Sequence, residues 1–544
     1  MAPPRLKLEK KKQGSATLVN ANDYLESADS HEEAMGKHRV GDPAKALRFA
    51  DRALDVYTQG LAKFPRNFDL AYNKARLELK KATDLMLSQA LEVSTISVLR
   101  HALSSHYYAR DLAPTHPDTL FNTAQVLTSI AEIIAKDDDA DDSEAVQNLE
   151  QALEMQSCCF ELQQAAFTKN RLELEEAMRE TAQYMAPQQT DNGQATTNPT
   201  TESQDNNLEE QWVMIEEPIT ATTLLDTIIA QVETLTALCS ILSASLDSPP
   251  DPEHKSAAAL SWVKSYSTNL LTQILPALIN ENWDVLEPRL IDVMLPRAVF
   301  MSHYLDLSFR LSAIDVEAYK QELDAAFSQP GLDAASEGVL LASTTALLSL
   351  NSTLADAMSG GMADDIIASY AALRWKILVA AQSRLSSVAN IPGTDQLTVA
   401  TTHSVRGDIS LFLQVLAYPP TSYPQARNTT PQLLKHAEVY YRNASKLLGS
   451  IGRHTDEEKA ICELKGAVVS VLQQTTTDQT VAGSSSGQDN SGTMPGVSAS
   501  TAQIKLSLES VVGVHGAEWV SNHIEDMMYE GMIAPEVFAA ITQG

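Results

Sequence analysis

The sequence predicts an all-α protein, a superhelix of antiparallel helix pairs interrupted by two disordered loops. Three observations carry that expectation. Ala, Leu, Ser and Thr dominate a chain of 544 residues in which 44% are apolar and only 6% aromatic, and Val/Ile alternation is scarce, a balance that favours helices over strands. A spacing of small residues and proline recurs at a constant offset of 49 residues, and fixed-period self-similarity marks stacked repeats. Breaker-rich stretches (SPPDPE, SQPGLD, IPGTD, YPPTSYP) divide the rest at helical-hairpin intervals.

In chain order, residues 1–22 form a basic tail with no apolar run of the signal-peptide kind. Within it RLKLEKKK (Arg5 to Lys12) has five basic residues and one acid, the composition of a nuclear-localisation signal or an electrostatic arm. A first helical array follows over 23–185. There, Ala53, Tyr57, Gly60 and Pro65 match Ala102, His106, Ala109 and Pro114, and Asp69, Tyr72, Asn73 and Ala75 match Asp118, Phe121, Asn122 and Ala124. Small residues at intervals of four and three share one helix face and let a neighbouring helix approach closely. The following proline ends the helix. One helix pair cannot bury such a face alone, so neighbours must stack.

This spacing resembles the tetratricopeptide repeat (TPR) family. Ala53 and Ala102 stand at its small second-helix position, Tyr57 and His106 at its aromatic position, Gly60 and Ala109 at its second small position, and Pro65 and Pro114 at its terminal proline. Ala75 and Ala124 match the small residue of its first helix. The Gly41-Asp42 turn matches the one between its two helices, and Ala145, Leu149 and Ala152 echo the pattern without a proline. Farther on, Ala437, Tyr441 and Ala444 echo it again, with Gly449 in place of proline. The family repeats about every 34 residues, so a period of 49 adds about four helical turns per unit. The resemblance therefore implies a divergent, long-helix member whose concave face binds protein, with Asn73 and Asn122 either lining the groove or serving a structural role. The family's grip on the acidic tail of a heat-shock chaperone needs Lys and Arg where this chain has Asp118 and Asn122, and Asp118 would repel such a tail. That clamp is expected to be absent.

Residues 186–207 are a polar low-complexity linker. A second helical-repeat array spans 208–472 and opens with TLLDTIIAQVETLTALCSILSASL, apolar on most sides and so a buried central helix. Residues 473–501 form the second disordered loop. Over 502–544, Trp519, Ile524, Met527 and Met528 give an amphipathic helix one apolar face, suited to capping the array or to a partner's groove.

Four cysteines (Cys158, Cys159, Cys239, Cys462) are too few for a disulfide framework, and Cys158-Cys159 reads as packing. The twelve histidines show no metal-ligand spacing. In KDDDADDSEAVQNLE, Asp142 stands where a calcium loop needs glycine and Asn148 where it needs glutamate, so these acids read as a cap for a helix beginning near Glu144. The RGD triplet at Arg406 to Asp408 reads as coincidence. Phosphate loops and nucleophile elbows are absent from the sequence, so no cofactor and no enzymatic activity are expected. The longest uncharged runs, Gly338 to Ala355 and Ile409 to Ala426, are too polar or too proline-broken for a membrane span.

Forty basic against seventy acidic residues leave a net charge of −30. That surface repels nucleic-acid backbone and anionic lipid and attracts basic partners, although the same charge also serves simple solubility. The expected function is a non-enzymatic adaptor or chaperone for a basic client such as a ribosomal protein or histone. It would sit in the cytoplasm, or in the nucleus if the basic tail is a localisation signal. The alternative is a scaffold subunit of a trafficking or proteostasis assembly.

Overall fold

The computed structural model describes residues 18–137, 142–185, 218–247, 252–358, 361–452, 455–482, 508 and 511–542. Among these there are helices and turns and no strand. The basic motif at Arg5 to Lys12 and the linker at 186–207 lie outside them. The chain divides into two compact units, Met1–Val293 and Met294–Gly544.

The first unit holds α1 (Ala21–His38), α2 (Pro43–Lys63), α3 (Phe68–Thr83), the short α4 (Leu85–Ser88), α5 (Thr95–Leu112), α6 (Pro117–Ile134), α7 (Asp142–Met185), α8 (Ala221–Ala244), α9 (Pro252–Asn269), α10 (Leu275–Glu281) and α11 (Trp283–Leu286). Local chemistry sets the starts. Asn20 and Asp23 form a capping box on α1, and Asp42, Asn67 and Ser94 each accept the N–H three residues on at α2, α3 and α5. Proline opens α2 and α6, where its missing N–H costs nothing. Helices pack in pairs, α1 with α2, α3 with α5, α6 with α7, and α8 joins α7. The leading helices α1, α3, α6 and α8 also touch in succession, an arrangement compatible with a helical-repeat fold.

The small residues sit where helices approach most closely. Ala53, Ala75, Ala102, Ala109 and Ala124 are completely buried. A Cβ on Gly60 would stand 3.0 Å from Leu70 Cδ1 and 3.1 Å from the Tyr24 ring, so α2 can lie against α1 and α3 only without one. Tyr57 is buried as well, and its hydroxyl donates to Glu32 Oε1 at 2.7 Å. Pro65 and Pro114 are exposed in the turns after α2 and α5, and the Pro65 carbonyl accepts from the Tyr108 hydroxyl.

Three features differ from the sequence expectation. The long period does not come from helix length alone, because residues 84–94, which include α4, lie between α3 and α5. α8 to α11 belong to the first unit rather than to a second array beginning at 208. The reason is polar as well as apolar: Thr227 Oγ1 donates to Gln163 Oε1 at 2.7 Å, and Gln156 Nε2 donates to Thr234 Oγ1 at 3.0 Å, fastening α8 to α7. The latter half of α7, residues 168–181, projects with every residue exposed.

α12 (Leu290–Arg310) contains the division between the units. The second unit continues with α13 (Val316–Phe327), α14 (Glu337–Met358), α15 (Asp364–Val388), α16 (Gln396–Val415), α17 (Pro424–Ile451), α18 (Asp456–Ala482), α19 (Ala517–Tyr529) and α20 (Pro535–Thr542). α14 packs on α15, α16 on α17, and α17 on α18. Ala437, Tyr441 and Ala444 are completely buried on α17. α18 runs on through Ala482, so the loop expected from 473 begins later than its sequence composition suggests. In α19 Val520, Ile524 and Met527 are buried beside Leu434, Tyr441, Leu464 and Val468, with Trp519 and Met528 partly buried against them. α19 therefore packs its apolar face against the middle of α17 and α18.

Two helices, α8 and α14, are long and apolar enough to cross a membrane by length and composition, and more than half of each such window is buried inside the protein. For α8 this follows from its position, with buried residues on nearly every side.

Candidate functional site

Leading helices α3, α6 and α8, with α7 beneath them, enclose a concavity of about 440 Å³ in the first unit. α3 contributes Arg76, Leu79, Lys80 and Thr83 to one wall. α6 contributes Asn122, Gln125, Thr128, Ser129 and Glu132, while α8 contributes Ala230, Glu233 and Thr234. Gln156 of α7 completes the lining. All but two of these residues carry a polar group, which is the reverse of an apolar ligand pocket.

The two walls differ in charge. On α3, Arg76 is held by Glu32 at 2.7 Å; burial works against its charge, but the charge and hydrogen bond of Glu32, helped by Tyr57 and Tyr72, together raise its pKa. Tyr57 shares the same carboxylate; burial first, then Glu32, drives its phenol far above the ordinary range. Glu132 of α6 and Glu233 of α8 also line the concavity, and the charge of Glu132 acts on Glu233. Desolvation at the groove wall, then the negative charge of Glu132, holds the Glu233 carboxyl above its usual range.

The floor is ordered by one hydroxyl. Thr234 Oγ1 donates its only proton to the Ala230 carbonyl at 2.8 Å, so it acts solely as an acceptor toward its other neighbours. Gln156 must therefore turn its amide nitrogen to Thr234, and Thr128 approaches the same oxygen at 3.4 Å. Gln156 is 2% exposed, and its Oε1 has no hydrogen-bond partner. A buried carbonyl oxygen left unpaired costs about 1–3 kcal/mol.

Of the two asparagines expected in the groove, Asn122 lines it and donates to Tyr72 Oη at 3.3 Å. Asn73 is not in the lining; its Nδ2 donates back to the Asp69 carbonyl at 2.9 Å within α3. The small and aromatic repeat positions lie behind the groove, between the helices. His106 is among them, completely buried on α5, and burial pushes its pKa down to about 4 against an opposing pull from the Ala75 backbone. Gln156, Thr234 and Glu233 escaped the sequence reading. Their signal was present: Gln156 interrupts the apolar stripe of Leu149, Ala152 and Leu153, and Thr227, Gln231 and Thr234 interrupt that of α8.

Other candidates are occupied structurally. Cys159 is buried, its Sγ donating to the Pro117 carbonyl at 3.3 Å, and burial, reinforced by Asp118, pushes its thiol up to about 12, whereas Cys158 is exposed, so only one of the pair packs as the sequence suggests. The acidic run meets the described residues at Asp137, whose N–H donates to the Ile134 carbonyl at 3.0 Å, and at Asp142, which opens α7 and accepts from Ser245 Oγ at 2.6 Å. Asp138 to Asp141 lie outside them. The RGD triplet is part of α16. A Cβ on Gly407 would meet the Tyr441 ring at 2.5 Å, and Asp408 Oδ1 accepts from Tyr441 Oη at 2.7 Å and Lys465 Nζ at 2.8 Å.

No protein-family model matches the chain. Over 180 residues it is 33% identical to UPF0656 protein C926.02 of Schizosaccharomyces pombe. The match covers 32% of this chain and 37% of that protein, so the chain spans little more than a third of the relative's length.

Proposed function

We propose that this is a non-enzymatic adaptor or chaperone of the TPR-like kind, whose first-unit groove holds an extended segment of a basic protein such as a ribosomal protein or histone. The observation that carries this reading is the concavity itself. Successive leading helices present side chains to one continuous groove, and its floor holds a buried acceptor that folding leaves unpaired. Such a surface favours a polar, extended chain able to supply hydrogen-bond donors. The net charge of −30 adds long-range attraction for a basic segment. The resemblance of the Ala53–Pro65 and Ala102–Pro114 spacings to TPR helices supports the same use of the concave face.

Gln125 lies exposed on α6 at the groove wall, so Gln125→Trp fills the concavity without disturbing the packed faces. Affinity purification with mass spectrometry, at low and high salt, is expected to recover basic partners from the natural chain and to lose them with Gln125→Trp. Recovery should also fall steeply with salt. A partner set that is acidic, survives molar salt and ignores the tryptophan would contradict this reading.

A further inference from the structure

We infer that the α6–α8 end of the groove is an arginine-binding subsite, in which Glu132, Glu233 and the Gln156 amide oxygen receive one guanidinium group of the bound segment. This rests on the groove reading above and specifies what the groove recognises. Three acceptor-bearing residues on three different helices line the concavity there. Two are carboxylates standing near enough for one to disfavour ionisation of the other. The third is the Gln156 oxygen, which the proton count at Thr234 leaves turned away from its neighbours, buried and unsatisfied. Like charges held together beside an unpaired acceptor are an unfavourable arrangement for the empty protein, and a cation rich in donors relieves all of it at once.

Guanidinium fits better than ammonium. Its five N–H donors radiate in a fixed plane and can reach acceptors on separate helices together, whereas an ammonium is a compact charge that is costlier to dehydrate. The opposite wall sets the direction of the guest. Arg76 and Lys80 of α3 would repel an arginine, so the cation belongs at the α6–α8 end and not at the α3 end.

The test is fluorescence anisotropy of the full chain with a short fluorescein-labelled peptide of alternating arginine and glycine, and with its lysine counterpart. At about 0.15 M salt, where screening beyond roughly 8 Å removes diffuse attraction, Glu132→Gln/Glu233→Gln is expected to weaken arginine-peptide binding about tenfold or more. Gln156→Met, which keeps the volume and removes the acceptor, is expected to weaken it about threefold. The lysine peptide should bind several-fold more weakly to the natural chain. Because both glutamates are exposed, their amides are tolerated, and matched melting curves confirm folding. If the double amide variant binds as tightly as the natural chain while Gln125→Trp blocks binding, the arginine subsite is wrong and the groove reading stands. Equal affinity for the lysine peptide would likewise overturn the arginine assignment. If Gln125→Trp too leaves binding unchanged, both readings fall.

Discussion

Asp408→Ala is expected to destabilise the second unit by about 3–5 kcal/mol, the cost of stripping one partner from a buried ion pair. Asp408 Oδ1 takes both Tyr441 Oη and Lys465 Nζ, and the side chains of Asp408 and Lys465 are only 15% and 14% exposed. Burial works against the Lys465 charge, yet Asp408, with a smaller pull from Glu530, holds its pKa above the ordinary lysine value, so removal of the Asp408 carboxylate leaves a buried ammonium with only the weaker attraction of Glu530. Tyr441, completely buried, loses its acceptor in the same step. Asp408→Asn keeps an acceptor and should cost clearly less. Urea unfolding, with hydrogen exchange across α16, α17 and α18 to localise the change, measures both variants. A loss under about 1 kcal/mol for alanine, the worth of an ordinary exposed pair, would refute the role assigned to the cluster.

His106 supplies the second large effect, this time through pH. Its pKa is about 4 in the folded protein against 6.5 for the free side chain. The fold therefore prefers the neutral ring, and the unfolded chain binds the proton more readily. Stability from this group is complete above about pH 6.5 and drains away as the pH falls toward 4, reaching roughly 3 kcal/mol at the lower end. His106→Phe retains an aromatic ring without the titration. Its unfolding free energy should change less between pH 7 and pH 4.5 than that of the natural chain, by roughly 2–3 kcal/mol. Parallel pH profiles for the two proteins would show that His106 is not held neutral.

The helical class and the close-packed positions were legible because each rests on local sequence. Ala53, Gly60, Ala102 and Ala109 recur in register and are buried in the structure, since small residues are what a close helix crossing requires. Breakers and caps at Asp42, Asn67 and Pro117 are likewise local. The extent of the first unit was not legible. α8 belongs with α7 through Thr227–Gln163 and Gln156–Thr234, pairs separated by 64 and 78 residues, and no local pattern announces them. His106 illustrates another limit. A histidine at an aromatic position looks like a departure from the repeat, but burial keeps the ring neutral, and a neutral imidazole fills the site as an aromatic does.

The groove was half legible. Asn122 could be placed by its register with Asn73, yet Asn73 spends its amide on its own helix, because one aligned position meets a neighbouring helix and the other a backbone carbonyl. Glu132 and Glu233 lie far apart in sequence and acquire meaning only when α6 and α8 come side by side.

The central claim is that a basic partner lies in the concavity of α3, α6 and α8. Photo-cross-linking tests it most directly, with benzoylphenylalanine placed at Gln125 in the groove or at Ser104, exposed on α5. Partner bound to the full chain should cross-link from position 125 through an arginine-bearing segment and not from position 104. Cross-links from Ser104 with none from Gln125 would contradict it.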